Sequence, residues 1–273
     1  MESADLYIIA AGRGSRMKSD TPKALVTIDG EPCLTSTLLQ IGHKFRKVFV
    51  VTNILLREQW AEYFAGLQTT YPDLSGSVFQ LPIKSGLGDG HATLEGIMAA
   101  ERLGHGPVAR DLVVAWGDVF FPHAAIIDEL LSVDRKGPGL LPAVHEPHPY
   151  VALMVNEHMQ CLSAEHSKFG EQQLVGYHDQ SVFRFEASRL HACLRELHNA
   201  LWKNGRYIAP DGELSLLYSF HHFYNARDPA YVYETKYPTR TFNTVEEVVA
   251  IQREIRARWT KRFHLNGAMS HDL

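Results

Sequence analysis

Leu6-Tyr-Ile-Ile-Ala-Ala-Gly-Arg-Gly-Ser-Arg-Met-Lys-Ser-Asp-Thr-Pro-Lys-Ala-Leu25 is the stretch whose reading decides the fold. Leu6 to Ala10 is a short apolar run with the character of a buried strand. It breaks into Ala11-Gly12-Arg13-Gly14-Ser15-Arg16, a small, basic turn. Glycines after a strand let backbone N–H groups approach an anion, and Arg16 and Lys23 add positive charge. The expectation is a polyphosphate cradle at the C-terminal edge of a parallel sheet. A Walker A loop does not fit, since no Gly-Lys-Ser/Thr follows. A dinucleotide fingerprint does not fit either, because Met17 stands where its third glycine belongs.

Working outward, apolar strand-like runs alternate with helix-like periods. Lys47 to Thr52, Val78 to Leu81 and Asp111 to Asp118 read as strands, and Pro32–Lys44, 55–67 and Gly90–Leu103 as helices. That alternation predicts a doubly wound, mostly parallel α/β sheet over residues 1–135. From Gly137 the pattern changes. Tyr150–Val155 pairs with Gln160–Ala164 in an expected antiparallel insertion, followed by a strand at Ser181–Phe185 and a helix marked by Leu190, Leu194, Leu197 and Leu201. Gly212–Phe223 is expected to be helical and Tyr231–Thr235 a strand. Thr244 and Glu247 form a capping box for a last helix whose buried face is Val248, Ile251, Ile255 and Trp259. The whole of 1–273 reads as one domain: a nucleotide part to 135, an acceptor part at 136–240 and a C-terminal helix at 241–263.

Composition limits the function classes. The 273 residues are 45% hydrophobic, enough for a sizeable core, and the net charge of −4 gives no basic footprint for nucleic acid or an anionic membrane. Cys33, Cys161 and Cys193 are odd in number and far apart, which points to reduced thiols and a cytoplasmic protein. No basic n-region and no apolar run of membrane-spanning length is visible. The histidines His145, His148, His221 and His222 lack the spacing of a zinc site.

Ile9–Met17, with Pro22, Lys23, Leu25, Gly30 and Pro32, resembles the signature of the sugar-phosphate nucleotidyltransferases. The resemblance is to NDP-sugar pyrophosphorylases, including the uridylyltransferase domain that acts on N-acetylglucosamine 1-phosphate. It implies a Rossmann-like nucleotidyltransferase fold with a small antiparallel acceptor-binding insertion. It also implies transfer of a nucleotidyl group from an NTP to a phosphorylated small molecule, with pyrophosphate released. Arg16 and Lys23 would be the catalytic cations. Ala10, Ala11, Gly12 and Gly14 would line the nucleotide, together with Gly88 and Asp89 of Ser85-Gly-Leu-Gly-Asp-Gly-His-Ala92 and the nearby Gln80. Asp118, at the end of Val113-Val-Ala-Trp-Gly-Asp118, and Asn243 would be the Mg2+ ligands. Glu165, Lys168, Asp179 and Gln180 take the places where the family contacts its acceptor.

Two alternatives stay open: a cytidylyl- or guanylyltransferase acting on a non-sugar phosphate, and a silent nucleotide-sugar-binding regulatory subunit. The second is disfavoured because Arg16, Lys23 and Asp118 are all present. A glycosyltransferase with an Asp-x-Asp motif is disfavoured by Gly117-Asp118-Val119-Phe120.

Overall fold

A computed structural model describes residues 4–12, 21–84, 86–105, 109–167 and 175–268. The first strand, β1 (Asp5–Ala10), is buried along its whole length and lies between β2 (Val48–Asn53) and the later β4 (Asp111–Trp116), parallel to both. β3 (Val78–Ile83) adds in parallel outside β2. Alternate residues of β1 serve opposite faces of the sheet, as the two-residue period of a strand requires. Leu6, Ile8 and Ala10 pack with α1 (Cys33–Ile41), α2 (Arg57–Thr70) and α4 (Ala125–Ser132) through Leu34, Leu38, Trp60, Ile126 and Leu130. Tyr7 and Ile9 face α3 (Asp89–Arg102), α5 (Ala187–Leu201) and α6 (Tyr218–Asn225) through Ile97, Leu194 and Phe220. Helices on both faces make the sheet doubly wound, as the alternation implies. Burying each such Leu, Ile or Phe contributes roughly 1.5–3 kcal/mol relative to exposure.

Beyond β4 the sheet turns antiparallel. β5 (Gly139–Pro147), β6 (Val151–Val155), β7 (Cys161–His166), β8 (Val175–Asp179) and β9 (Val182–Glu186) complete the order β7-β6-β8-β5-β9-β4-β1-β2-β3. β10 (Tyr231–Glu234) lies parallel to β5, making ten strands. β8 and β9 are nearly continuous in sequence and both pair with β5, while their other edges meet β6 and β4 respectively. One bent line of chain therefore joins the parallel and antiparallel parts.

Two expectations change. Residues 212–217 are not helical, and α6 begins only at Tyr218, because the backbone of Leu214 is committed to α3. Leu214 N–H donates to Leu87 O at 2.9 Å, and Leu214 O accepts from Gly90 N–H at 2.9 Å. The helix α4 and the strand β8 are elements the sequence reading did not anticipate, although Ile126, Ile127 and Leu130 of α4 stand at helical spacing.

All three cysteines are buried and unbridged. Burial raises the thiols of Cys161 and Cys193 to about 12.

A short hairpin, Trp202–Lys203 with Arg206–Tyr207, follows α5. The Tyr207 hydroxyl lies 2.7 Å from Nδ1 of both His91 and His198. A phenol has one proton, so it donates to one imidazole and accepts from the other. Tyr207→Phe leaves both rings without this partner and is expected to cost about 1–3 kcal/mol. Urea unfolding checks this; an unchanged midpoint means water replaces both bonds.

Candidate active site

Lys23 opens a short 3-10 turn, Lys23–Leu25, after Pro22, with Leu25 N–H donating to Pro22 O at 2.8 Å. Ala24 is buried against Gly117, where an added Cβ would come within 3.1 Å of its methyl and 2.9 Å of that of Ala10. Gly117 N–H also donates to Ile9 O at 2.9 Å. The end of β4 is thus fixed beside the end of β1, and Asp118 emerges between the two loops. Immediately after it, Val119–Phe120 pairs antiparallel with Arg240–Thr241. That two-residue ladder brings Asn243 to Asp118 across a long interval of sequence.

The three side chains meet. The Lys23 ammonium contacts Asp118 Oδ2 and donates to Asn243 Oδ1 at 3.0 Å. Lys23 and Asp118 keep 18% and 17% of their side-chain surface exposed, so the cluster is half-buried yet open to a ligand. Lys23 also stands 5.5 Å from the Phe242 ring centroid, a favourable place for a cation. Asn243 is held by the capping box. Glu247 accepts from the amides of Asn243 and of Thr244, the latter at 3.1 Å, and Glu247 N–H donates to Thr244 Oγ1 at 3.3 Å. Ile28, Cys33, Phe120, Phe242, Val248 and Ile251 form a small apolar cluster that seats α7 (Val245–Ala268) under this corner.

A carboxylate oxygen and a carboxamide oxygen that already converge on one cation are a donor set suited to Mg2+. That ion takes few protein ligands and keeps waters and phosphate oxygens.

Asp118 and Asn243 form one rim of a cleft with room for about 250 Å³. The cleft is also lined by Tyr150, His166, His178 and Asp179, and by Asp211, Glu213, Ser215 and Leu217 of the 211–217 segment. Asp179 is buried. Its Oδ1 accepts from Ser181 N–H at 2.7 Å, and desolvation pushes its carboxyl above the usual range while neighbouring His178 pulls it back. His178 in turn meets Glu146 at 2.6 Å. The rings of Tyr150 and His166 pack edge to face, 4.2 Å between centroids.

The other expected residues fall in different places. Ala10 ends β1 and Ala11 and Gly12 follow it, and an added Cβ on Gly86 would lie 3.3 Å from Ala11 O, so the two loops adjoin there. Gly88 and Asp89 start α3 beside the cleft. Gln80 sits mid-strand in β3 and donates to Thr52 Oγ1 at 3.0 Å, away from the cleft lining. Gln180 turns inward, its Oε1 accepting from Thr239 N–H at 2.8 Å. Glu165 is exposed on β7, and it is His166 next to it that lines the cleft. Gly14, Arg16 and Lys168 lie outside the described residues. Sequence reasoning overlooked Trp116, Tyr150, His166 and His178 as cleft residues. The change of pattern after Gly137 and the family places of Glu165, Lys168, Asp179 and Gln180 pointed toward this region without naming these side chains.

Residues 6–182 match the family described as MobA-like NTP transferase domain, a span from β1 to the start of β9. The chain belongs to that family. A curated relative, the bifunctional protein GlmU of Acidithiobacillus ferrooxidans, is 29% identical over 176 residues, covering 59% of this chain and 34% of its own length. The match thus spans about a third of that relative. Among solved structures, the inositol-1-phosphate CTP transferase from T. maritima superposes with a TM-score of 0.69 at 14% identity, covering 94% of this chain and 97% of its own. HddC from Yersinia pseudotuberculosis, complexed with GMP-PN, superposes with a TM-score of 0.63 at 16% identity, covering 92% and 99%. At these identities the two structures establish the nucleotidyltransferase fold of this MobA-like chain. No helix among the described residues is long and apolar enough to cross a membrane.

Proposed function

We propose that the chain transfers a nucleotidyl group from an NTP to a phosphorylated small molecule, a sugar 1-phosphate or a comparable polyol phosphate, releasing pyrophosphate. The observation that carries this reading is the meeting of Lys23, Asp118 and Asn243 at one end of an open cleft, next to the glycine turn that follows β1. The acceptor is a phosphate monoester with a second pKa near 6, so it is already largely dianionic at neutral pH and needs no general base. The protein's task is to bring two anions together and to stabilise charge on the α-phosphoryl group and the leaving pyrophosphate.

In this reading the backbone of Ala10, Ala11, Gly12 and Gly14, with Gly88 across from it, receives the nucleoside and phosphates. Arg16 holds the β- and γ-phosphates. Lys23, on its tethered turn, neutralises the α-phosphate and the incoming acceptor phosphate. Asp118 and Asn243 would hold Mg2+, which would supply further neutralisation of phosphate charge. Asp179, with His166, His178 and Tyr150, offers hydrogen-bonding groups to the acceptor's hydroxyls, and Glu165, Lys168 and Gln180 are the further acceptor contacts that the family resemblance implies. The likeness to an inositol-1-phosphate CTP transferase and to a putative glucose-1-phosphate thymidylyltransferase supports a phosphorylated polyol or sugar acceptor.

The test is pyrophosphate release from each of four NTPs with Mg2+ against a panel of sugar and polyol phosphates. One NTP–acceptor pair is expected to turn over, and pyrophosphate with the product should regenerate the NTP. Protein that binds an NTP yet runs neither direction is instead a nucleotide-binding subunit. In the active pair, Asn243→Ala removes a neutral oxygen and should raise the Mg2+ needed for half-maximal rate on the order of tenfold. Asn243→Asp keeps an oxygen and should not. A wild-type Mg2+ titration in Asn243→Ala would reduce Asn243 to a residue preceding a helix cap.

A further inference from the structure

We propose that Asp89 is a positioning residue, a latch that makes the glycine loop on the nucleotide side and the 211–217 wall of the cleft move as one body. The proposal rests on the nucleotidyl-transfer reading and adds to it a coupling between the two halves of the site. Asp89 is the first residue of α3, and its Oδ1 accepts from Gly90 N–H at 2.8 Å and from Leu216 N–H at 2.7 Å. The Ser215 side chain adds a third hydrogen bond to the carboxylate. One side chain thus spans from the start of α3 to a segment well over a hundred residues later.

The backbones it joins are in direct contact. Besides the two Leu214 bonds already described, His91 N–H reaches Leu214 O at 3.3 Å. A Cβ on Gly88 would fall 2.3 Å from Leu214 O, and one on Gly90 would fall 2.8 Å from Leu216 N. Only glycines permit this approach. The segment so docked presents Asp211, Glu213, Ser215 and Leu217 to the cleft. A shift of the glycine loop when nucleotide binds is therefore passed to the acceptor side. The carboxylate suits the place: it sits at a helix N-terminus, where negative charge is favourable, and amide donors offset the burial that pushes its carboxyl upward.

Asp89→Asn retains an oxygen for the Gly90 and Leu216 amides; Asp89→Ala does not. The first measurement is amide hydrogen exchange on the full chain without ligand. Asp89→Ala should accelerate exchange across 211–217 at least tenfold while β1 and β2 exchange as in the wild type, and Asp89→Asn should remain close to the wild type. Unchanged exchange at 211–217 in Asp89→Ala overturns the latch, whether or not the chain turns out to be a transferase. The second measurement separates coupling from simple local stability. With the NTP that binds and Mg2+, protection of 86–92 should extend to 211–217 in the wild type and Asp89→Asn, but stay within 86–92 in Asp89→Ala. In steady state Asp89→Ala should raise the acceptor KM about tenfold with the NTP Kd within twofold. A large loss of NTP affinity shared equally by both variants would mean that Asp89 contacts the nucleotide itself, and the latch is then wrong. If no NTP binds to wild type, the transferase reading fails and the ligand-free exchange alone decides the latch. If Asp89→Ala does not fold, Ser215→Ala, which removes only one of the three bonds, should give a smaller acceleration confined to the same segment; no change there also overturns the proposal.

Discussion

Asp118→Asn is expected to slow the proposed pyrophosphate release about a thousandfold while the protein stays folded. The fold survives because Asn keeps the shape of the side chain and an oxygen for Lys23, and because the residue sits on a half-exposed rim, outside the apolar clusters. The rate does not survive, because Asp118 is the one anion among the three side chains that meet there. Its charge fixes the Lys23 ammonium and, in the proposed reaction, would be the main electrostatic attraction for a divalent ion. Removing a single preorganised group that answers transition-state charge costs about 2.7–4 kcal/mol. Here one substitution weakens two such groups, which places the effect at the top of that range, about 4 kcal/mol for a thousandfold. The measurement is single-turnover pyrophosphate release at saturating NTP, beside circular dichroism. Activity within tenfold of wild type would remove Asp118 from the chemistry.

Gly88→Ala should destabilise the chain by about 2–5 kcal/mol and abolish turnover. Two separate penalties act. Gly88 has φ +102, a conformation that an L side chain adopts only with strain of about 1–2 kcal/mol. Its new methyl would also overlap Leu214, with three backbone atoms within 2.8 Å and no side chain among them to rotate away. Overpacking of this kind adds about 1–3 kcal/mol. Because the clash is with backbone, relief requires separating the glycine loop from the 211–217 segment. Turnover therefore suffers beyond what instability alone explains. Gly66, in the middle of α2 with nothing within 4 Å, is the control: its alanine variant should gain about 0.5–1 kcal/mol. Chemical denaturation of both variants decides the matter. If Gly88→Ala is as stable as wild type, the contact with Leu214 is looser than the geometry states.

The parts of the fold that could be read in advance are those where local pattern and tertiary fate agree. β1, β2 and β4 are near-continuous apolar runs because both of their faces are covered, and both faces are indeed buried. The Thr244–Glu247 capping box was legible for the same reason: its partners are three residues apart. The stretch 212–217 was misread as helix because its backbone is claimed by α3, an interaction that no local pattern carries. α4 was passed over because its eight residues offer only two turns after Pro122.

At the site, residue spacing alone suggested an anion-binding turn. The resemblance then supplied roles for Lys23, Asp118 and Asn243. What neither supplied was the short Val119–Phe120 ladder that seats Asn243 beside Asp118, or the aromatic and imidazole wall of Tyr150, His166 and His178. Such residues come together through sheet order, and sheet order is set by long-range pairing.

The three buried cysteines make the chain a reporter of its own opening. Thiol reagents attack the thiolate. Cys161 and Cys193, raised to about 12, are almost wholly protonated at pH 8, and Cys33, Cys161 and Cys193 are 0%, 0% and 3% exposed. Labelling by a thiol dye thus has to wait for the packing around each sulfur to open. Cys33 lies in the small cluster beneath α7, whereas Cys161 and Cys193 belong to the larger cluster under α5 and α6. The order in which the three react counts out which layer of the molecule lets go first, with no engineered probe and no change to its surface.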